Sequence, residues 1–315
     1  MKVSVVIPCY RVKGQILGVL EKIGPEVAEI YVIDDGCPEG TGDWVESQCH
    51  DERLRLVRNS NNLGVGGATL AGFRQAWANG SEIVVKLDGD GQMDPKSIPK
   101  LIRPIQEGRA DYTKGNRFFS PSYLKGMPVL RIIGNSALSF FSKISSGYWR
   151  VMDPTNGFVA IHTRILGLLP LERIENRYFF ESDLLFRLNT IRAVVTDVPL
   201  PAIYRDEKSS LRVHRELFSF FLKHTSRFIK RISYGYFVRD FNIASVEILG
   251  AATLLTLGVS FGLWEWVDYS SRGAFAPTGT IMLSALLVIL GFQLLLSAIS
   301  FDILHEPNQP LHPLL

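Results

Sequence analysis

Two carboxylates in the middle of the chain have the residue type and spacing most suited to chemistry. Asp88 and Asp90 stand one residue apart among glycines, directly after the apolar run 83–87, and Gln92 follows them. A short run rich in β-branched residues predicts a strand buried on both faces, and open α/β sheets bind ligands where such strands end. Oxygen ligands at that point suit Mg²⁺ or Mn²⁺ held together with substrate phosphates. A solvated turn is the alternative interpretation, because Asp and Gly are also ordinary turn residues.

The preceding segments predict the elements that would position these carboxylates. Apolar runs predict strands at 3–7, 30–33, 54–57 and 83–87. Apolar residues at helical spacing predict one helix between the first two strands and another between the last two. Strand, helix and strand within about 30 residues form a βαβ unit, which implies parallel strands with right-handed crossovers. Because polar residues follow each strand, the pattern predicts a doubly wound α/β domain with a site along one edge of its sheet.

Motifs and composition exclude several classes of protein. A dinucleotide-binding fingerprint should follow the first strand directly, where this chain has Pro8-Cys9-Tyr10-Arg11, and the glycine cluster at 64–67 comes too late. No Walker lysine motif is present either. The net charge of +3 implies no polyelectrolyte partner, so we expect no nucleic acid. The chain has three cysteines and no CxxC pair, which indicates a reducing compartment. The N-terminal apolar run is too short for a signal peptide, so we expect the catalytic part to be cytosolic.

The second half of the predicted soluble region is less regular. Its apolar patterns predict further strands and one long helix: strands at 111–114, 159–162 and 194–198, and a helix at 130–144. Polar residues are concentrated between these elements, in a turn at 152–158, at a helix start near 178 and in a loop at 204–210. We therefore expect this half to supply further side chains to the same site.

The C-terminal third of the sequence predicts membrane association. Nine Lys and Arg lie within 205–239, and apolar residues from 217 to 232 share one helical face, which predicts a basic amphipathic helix. We favour an interfacial position over packing on the domain, because two apolar runs at 244–264 and 278–301 are long enough to span a bilayer. Two spans bring both ends to one side, and the basic segment assigns that side to the cytoplasm by the positive-inside rule.

These patterns predict four regions. They are a cytoplasmic domain at 1–210, basic amphipathic helices at 211–242, two transmembrane helices at 243–303 and a cytoplasmic tail at 304–315. The protein is thus predicted to be a multi-pass protein of the cell (inner) membrane, with the lipid bilayer as a partner.

The polar segments, in their order and spacing, resemble those of the inverting nucleotide-sugar glycosyltransferases of family two. The resemblance rests on Val6-Ile7-Pro8-Cys9-Tyr10, Asp34-Asp35-Gly36, Asn62 with Gly64, Asp88-Gly89-Asp90-Gly91-Gln92, Gly115-Asn116-Arg117-Phe118 and the two C-terminal spans. Within the family, the chain is most similar to the polyprenol-phosphate (dolichol-phosphate mannose synthase-like) branch. The resemblance implies an α/β fold: a Rossmann-like, nucleotide-sugar-binding domain of the glycosyltransferase-A type with a mostly parallel sheet, followed by an amphipathic helix and a two-helix transmembrane hairpin.

The resemblance also implies a donor site for a GDP- or UDP-linked sugar at the strand ends. Breaking the sugar–diphosphate bond puts charge on the diphosphate, which a divalent cation stabilises as a Lewis acid. The implied metal positions for Mg²⁺ or Mn²⁺ are Asp88, Asp90 and Gln92, with Asp88 acting through the metal or the ribose. The implied nucleotide-sugar positions are Pro8, Tyr10, Asp34, Asp35, Asn62, Gly64 and Asp88. Asp34 alternatively only braces its turn, and Pro8 and Tyr10 alternatively only end and cover the first strand.

The acceptor that this branch implies is a lipid phosphate. A phosphate is already ionised at neutral pH and depends less on a general base than a sugar hydroxyl does, but it needs cations to dock it. The implied lipid-phosphate positions are Arg117, Arg131, Asn135, Arg205 and Ser210. The chain departs from the family pattern here, because Lys208 replaces an expected glycine and the basic residue after the serine is displaced to Arg212.

Three residues are implied to be catalytic, namely Asp90, Asp153 and Arg117. Asp153 matches an acid near the acceptor in related enzymes, although a carboxylate in such a turn also caps backbone amides. Glu181 and Asp183 resemble the acidic pair that supplies a base in members with a hydroxyl acceptor. We favour a structural role for both.

We therefore predict transfer of a hexose, with inversion, to polyprenyl (undecaprenyl or dolichyl) phosphate, giving a lipid-linked donor for glycan or glycoprotein assembly. One alternative is transfer to a sugar hydroxyl of a lipid-linked glycan or polysaccharide; the Gln-x-x-Arg-Trp motif of processive synthases is absent. A non-catalytic membrane scaffold is the alternative from another class, and the intact Asp88-x-Asp90 with Arg117 argues against it. Members of this branch can be tetrameric, so a homo-oligomer is also implied.

Overall fold

The structure is a computed structural model that describes residues 1–124, 129–201 and 213–315. These residues form two compact units. The first unit contains residues 1–229 together with 307–315, and the second contains residues 230–306. The tail segment 307–315 is therefore part of the same body as the predicted catalytic domain.

A seven-stranded sheet lies at the centre of the first unit. Its strands are β1 (Val3–Cys9), β2 (Glu29–Asp34), β3 (Leu54–Arg58), β4 (Ile83–Lys86), β5 (Tyr112–Asn116), β6 (Val159–His162) and β7 (Val195–Pro199). Their spatial order is β3-β2-β1-β4-β6-β5-β7. Every neighbouring pair is parallel except those of β6, which runs antiparallel to both β4 and β5. The prediction of a mostly parallel sheet is confirmed.

Helices form most of the remaining regular structure. They are α1 (Ile16–Leu20), α2 (Thr41–Gln48), α3 (Val65–Ala78), α4 (Ile98–Gln106), α5 (Val129–Ser146), α6 (Thr163–Leu166), α7 (Phe180–Thr190), α8 (Val213–Ile232), α9 (Ile243–Ser271) and α10 (Thr278–Leu304). Short 3₁₀ segments lie at Pro95–Ser97, Pro121–Leu124 and Leu171–Arg173, and a π-helical segment lies at Ser233–Arg239. Helix α2 was not predicted from the sequence, because Val45 is its one large buried apolar side chain and its N-cap residue is Gly40 rather than a polar residue.

Alternation along β1 explains why the sheet is covered on both faces. Val5 and Ile7 belong to one hydrophobic cluster, shared with α1 and α4, whereas Val6 belongs to a second cluster, shared with α3 and α7. Side chains of a strand point alternately to the two faces, so a strand buried on both needs apolar residues at every position. The apolar runs of the sequence meet that requirement and bring the carboxyl ends of β1, β2 and β4 to one edge.

The amphipathic helix α8 packs on the first unit with one face and exposes the other. Lys223 Nζ donates to Glu175 Oε2 at 2.9 Å, and Arg227 Nε donates to Asp183 Oδ1 at 2.6 Å. Exposed apolar side chains in the described part of the same helix are Phe218, Phe221, Leu222, Phe228 and Ile229. Two basic residues of the helix are therefore ion-paired with the domain, so packing on the domain and an exposed apolar face occur together.

The second unit is a helical hairpin. Both α9 and α10 are long and apolar enough to cross a membrane, and only 11% of the most apolar window of each is buried. A core helix of a globular domain would be mostly buried, so these helices are not of that kind. Near the base of the hairpin, Arg231 Nη1 donates to Asp302 Oδ1 at 2.6 Å. Glu247 accepts a hydrogen bond from Ser297 of α10 rather than from a basic residue.

The tail after the hairpin docks onto a buried carboxylate of the first unit. Asp111, which is 0% exposed, accepts hydrogen bonds from the backbone N–H groups of Leu311 and His312 and from His312 Nδ1, at 2.8–2.9 Å. The His312 ring stacks on His162 with 4.4 Å between ring centroids. Burial lowers the pKa of His162 to about 4, so this ring is neutral at pH 7. The docked tail thus satisfies a carboxylate that the sheet alone would leave short of donors.

Truncation after Glu306 should destabilise the first unit. Hydrogen bonds to a charged group each contribute about 1.5–3 kcal/mol, so losing the tail's donors should lower the free energy of unfolding by about 3 kcal/mol or more. The melting temperature of the detergent-solubilised protein should fall by about 5–10 °C, measured by intrinsic fluorescence. Leu314→Ala is the matched control, because this tail side chain is 67% exposed. An unchanged melting temperature in the truncated protein would contradict the role given to Asp111.

Candidate active site

A cavity of about 480 Å³ opens at the carboxyl ends of β1, β2 and β4. It brings together most of the residues predicted for the donor side, namely Pro8, Tyr10, Asp35, Asn62, Gly64, Asp88 and Asp90. The lining also contains residues that the sequence analysis did not assign to a site, namely Cys9, Val12, Val65, Ala68, Gly89, Arg177 and Tyr178. The volume lies within the range of small-molecule sites, and the polar groups converge from three strands.

Asp35 organises the loop that follows β3. Its Oδ1 accepts from the backbone N–H of Leu63 at 2.9 Å, and its Oδ2 accepts from that of Gly64 at 2.8 Å. Asn59 Nδ2 donates to the same Oδ1, and Asn62 Nδ2 donates to the Asp35 carbonyl. Asp35 is only 2% exposed, so it lines the cavity mainly by fixing this loop around it.

Asp34 braces the turn after β2. Its Oδ1 accepts from Cys37 N–H at 2.8 Å, and its Oδ2 accepts from Gly42 N–H at 2.7 Å, in the first turn of α2. A Cβ at Gly42 would lie 2.5 Å from that Oδ2, so the glycine permits the contact. Asp34 is not part of the cavity lining. The hydrogen bonds of its carboxylate agree with the alternative in which Asp34 only braces its turn.

The glycine cluster at the start of α3 allows another segment to pass directly over it. A Cβ on Gly66 would lie 2.6 Å from the carbonyl oxygen of Glu175 and 2.7 Å from Cβ of Phe180. Gly64 has a φ of +87°, and a Cβ there would lie 2.7 Å from the carbonyl oxygen of Asn176. This close approach brings the next two residues of the segment, Arg177 and Tyr178, to the cavity.

The two carboxylates after β4 both line the cavity. Asp88 Oδ1 accepts from Lys86 Nζ at 2.8 Å, and Asp90 Oδ1 accepts from the backbone N–H of Gln92 at 2.9 Å. The side chain of Gln92 is not part of the lining. Among the residues that the structure describes, no group of three or more His, Cys, Asp or Glu side chains could hold a metal ion. The chain therefore offers a pair of carboxylates at this edge.

Arg117 and Asp153, both predicted to be catalytic, form a bidentate ion pair. Arg117 Nε and Nη2 donate to the two oxygens of Asp153, each at 2.6 Å. Asp153 is 0% exposed and has a φ of +56°, a strained conformation for a residue other than glycine. Both oxygens of Asp153 therefore accept charge-assisted hydrogen bonds from the same guanidinium group.

The remaining predicted acceptor residues are only partly described. Asn135 lies on α5, and its Nδ2 is buried without a hydrogen-bond partner among the described residues. Arg131 lies one turn earlier on α5, where only its backbone is described. Arg205 and Ser210 lie outside the described residues.

Two buried ionisable residues next to Arg117 and Asp153 were not predicted. Lys114 is 0% exposed and donates to the carbonyl of Asn156, and burial lowers its pKa. Asp197 accepts from Asn116 Nδ2 and from Met152 N–H, and burial raises its pKa. Lys114 lies in β5 and Asp197 in β7, where the sequence pattern predicted strands but gave no signal for a buried ionisable residue. Together they hold the turn that carries Asp153 against β5.

The fold and this edge of the sheet define a glycosyltransferase of the A type. The model of glycosyl transferase family 2 matches residues 4–168, which is more than half of the chain. The chain belongs to glycosyl transferase family 2.

Curated relatives refine this assignment to the polyprenol-phosphate branch. The chain is 29% identical over 211 residues to an undecaprenyl-phosphate mannosyltransferase of Micrococcus luteus, an alignment covering 65% of this chain and 85% of the relative. It is 28% identical over 218 residues to a UDP-N-acetylglucosamine–dolichyl-phosphate N-acetylglucosaminyltransferase of Methanococcus voltae, covering 65% and 86%. The two relatives differ in the sugar that they are named for and share a lipid phosphate.

A solved structure supports the fold. Glucosyl-3-phosphoglycerate synthase of Mycobacterium tuberculosis, in complex with Mn²⁺, uridine diphosphate and glucosyl-3-phosphoglycerate, superposes with a TM-score of 0.52 at 21% identity. The match covers 73% of this chain and 79% of that one. At this identity the likeness concerns the fold alone.

Gly66→Ala should destabilise the protein and weaken nucleotide binding. The added methyl group meets backbone atoms of Glu175 and Asn176, which cannot move aside as a flexible side chain would. Overpacking of this kind costs about 1–3 kcal/mol, and displacing the segment also moves Arg177. Thermal unfolding and calorimetric titration with a nucleoside diphosphate measure the two effects. Gly18→Ala is the control, because no atom lies within 4 Å of its added Cβ. Similar behaviour of the two variants would contradict the packing argument.

Proposed function

We propose that this protein transfers a hexose from a nucleoside diphosphate sugar to polyprenyl phosphate, with inversion, at the membrane surface. The observation that carries the proposal is the cavity at the sheet edge, where Asp35, Asp88 and Asp90 meet Asn62 and Arg177 in a chain with two apolar C-terminal helices. The sugar donor, the acceptor phosphate and the membrane each require a different feature of this geometry.

The donor side has the oxygen ligands that a divalent cation needs. Asp88 and Asp90 are hard ligands in the cavity, and Mg²⁺ and Mn²⁺ are commonly held by one or two carboxylates together with substrate phosphates. The donor set therefore fits such a cation with a bound nucleotide, in accordance with the Mn²⁺ and uridine diphosphate named for the structural neighbour. When bound, the cation supplies Lewis-acid stabilisation of the departing diphosphate.

Arg177 is the second proposed source of positive charge for the diphosphate. It lines the same cavity as Asp35, Asp88 and Asp90, and the close approach of Gly64 to Asn176 limits where its backbone can lie. An arginine fork matches phosphate oxygens with two parallel donors. We infer that Arg177 orients the diphosphate of the donor and stabilises the charge that develops when the sugar leaves.

The ion pairing of the candidate bases favours a phosphate acceptor over a hydroxyl acceptor. Asp153 is held by Arg117, Glu181 Oε1 accepts from Lys86 Nζ at 3.4 Å, and Asp183 is bound by Arg227. A sugar hydroxyl needs a general base near its proton, whereas an ionised phosphate attacks without one. Attack on the face opposite the diphosphate gives inversion in a single displacement.

The acceptor phosphate needs donors, and α5 and the Arg117 segment are the proposed source. The buried Nδ2 of Asn135 lacks a partner among the described residues and is suited to donate to a phosphate oxygen. Arg117, Arg131, Arg205 and Ser210 remain proposed members of the same acceptor site. The lipid-phosphate relatives of Micrococcus luteus and Methanococcus voltae support this acceptor class.

Chain connectivity supports a cytoplasmic hairpin topology. Residues 1–229 and 307–315 form one compact unit, so both ends of the hairpin must emerge on the same side of any membrane that α9 and α10 cross. The excess of Lys and Arg before α9 favours the cytoplasmic side by the positive-inside rule. We therefore propose a multi-pass inner-membrane enzyme with a cytoplasmic active site; a homo-oligomer such as a tetramer remains part of the proposal.

Purified protein in detergent should transfer radiolabelled sugar to polyprenyl phosphate when GDP- and UDP-linked hexoses are supplied with Mn²⁺ or Mg²⁺. Asp90→Asn should lower turnover by more than the roughly 10–100-fold that loss of an outer-shell partner costs, because it removes a direct ligand. Asp94→Asn, on the adjacent 3₁₀ turn, is the control. Transfer to a glycan hydroxyl without any lipid product would overturn the acceptor assignment, and full activity of Asp90→Asn would overturn the metal assignment.

Arg177→Gln should lower kcat/KM for the nucleotide sugar about 10-fold, the equivalent of about 1.4 kcal/mol of transition-state stabilisation. The loss should appear in the donor KM and kcat and leave the KM for polyprenyl phosphate unchanged. Arg74→Gln is the control, because Arg74 forms an exposed ion pair with Glu172 outside the cavity lining. A change confined to the acceptor KM would contradict the donor-side role of Arg177.

A further inference from the structure

Lys86 is a fully buried cation at the end of β4 that the proposed reaction does not yet use. Its side chain is 1% exposed. Nζ donates to Asp88 Oδ1 at 2.8 Å, to the carbonyl oxygen of Gly157 at 3.4 Å and to Glu181 Oε1 at 3.4 Å. An ammonium group has three protons to donate, so these three acceptors account for all of them.

The three acceptors belong to three different parts of the first unit. Asp88 follows β4, Gly157 lies in the turn before β6 that also carries Asp153, and Glu181 lies in the first turn of α7. The Lys86 Nζ atom lies 2.8 Å from the Asp88 carboxylate and 3.4 Å from the Glu181 carboxylate. One charge thus links the metal-side carboxylate to the turn that positions Arg117.

Gly157 shows how tightly this arrangement is packed. A Cβ built on Gly157 would overlap with Lys86 Nζ and lie 2.8 Å from Asp88 Oδ2. A glycine is therefore needed for the turn to close over the ion pair. The turn and Lys86 together limit the orientations that the Asp88 carboxylate can adopt.

We propose that Lys86 is a positioning residue, which holds Asp88 Oδ1 so that the other oxygen of the carboxylate is presented to a divalent cation in the cavity. This inference rests on the proposed function, because it concerns the metal side of the same site. Preorganised outer partners of this kind typically contribute 10–100-fold to metal affinity or activity.

If Lys86 acts through Asp88, its substitution should have other effects on Mn²⁺ affinity than if Lys86 only stabilises the fold. If Lys86 acts through Asp88, its replacement should matter only while the carboxylate is present. The effects of Lys86→Met and Asp88→Asn on Mn²⁺ affinity should then be strongly non-additive. Excess Mn²⁺ should also restore turnover in Lys86→Met, which it would not do for a misfolded site.

The test measures Mn²⁺ binding to the full-length protein in detergent with saturating uridine or guanosine diphosphate, by electron paramagnetic resonance. Wild type, Lys86→Met, Asp88→Asn and the double variant complete a cycle. We expect about 10–100-fold weaker Mn²⁺ binding in Lys86→Met and little further change when this substitution is added to Asp88→Asn. Sugar transfer at increasing Mn²⁺ concentration gives the second readout.

Two further variants keep the proposal falsifiable if Lys86→Met fails to fold. Gly157→Ala displaces the ammonium from Asp88 without removing any charge, so it should also weaken Mn²⁺ binding and be rescued by excess Mn²⁺. Lys2→Met is the control, because Lys2 Nζ forms an ion pair with Glu29 Oε2 at 3.0 Å, at the start of β2 and outside the cavity lining. The Mn²⁺ affinity of this control variant should stay within about twofold of wild type, because a distant residue that shares no partner with Asp88 acts independently of it.

The outcomes separate this inference from the proposed function. Wild type that binds Mn²⁺ and transfers sugar, with Lys86→Met and Gly157→Ala unchanged in Mn²⁺ affinity, overturns the role of Lys86 and leaves the function standing. Additive effects in the cycle also overturn it. Wild type that shows no Mn²⁺-dependent nucleotide binding overturns both.

Discussion

Carboxylates gathered at one edge of a sheet repel one another, and each needs a compensating donor if the edge is to be stable. The first unit supplies these donors one by one. Asp35 is held by backbone amides of the loop after β3, Asp88 by the Lys86 ammonium and Asp153 by the Arg117 fork. Because each partner comes from a different segment, satisfying the carboxylates also fixes where those segments lie. The same hydrogen bonds therefore stabilise the carboxylates and determine the shape of the cavity.

The reversed strand β6 explains how a largely parallel sheet builds two sides of a site. The register pairs Val159, the first residue of β6, with Lys86, the last residue of β4. In a parallel strand the preceding loop would lie at the opposite edge, but reversal brings the turn before β6 to the edge where β4 ends. Asp153 and Gly157 arrive there by this route. The proposed donor side thus comes from the regular βαβ half, and the proposed acceptor side depends on a single change of strand direction.

The sequence predicts β1 to β4 and the sheet edge at which they end, because those features depend on local patterns. Apolar runs give β1 to β4, and the polar residues that end them must meet at one edge. The contacts that the sequence cannot predict join distant positions: Arg117 with Asp153, Lys86 with Glu181, and Asp111 with His312, which is 201 residues away. Arg177 was not predicted as a site residue. The only sequence signal is the glycine cluster at 64–67, which indicates a close approach of another segment but not which segment it is.

The docked tail also sets an order of events during synthesis. Residues 307–315 leave the ribosome after α9 and α10, so Asp111 has the Val194 N–H donor but not the tail's donors until the hairpin has been made. A chain whose hairpin has crossed the membrane only once would carry His312 to the side opposite Asp111. The domain of such a chain would keep a buried carboxylate without the tail's three hydrogen-bond donors, a structural defect that distinguishes it from a chain inserted with the proposed topology. Under the proposed topology, correct insertion therefore contributes to the stability of the folded domain.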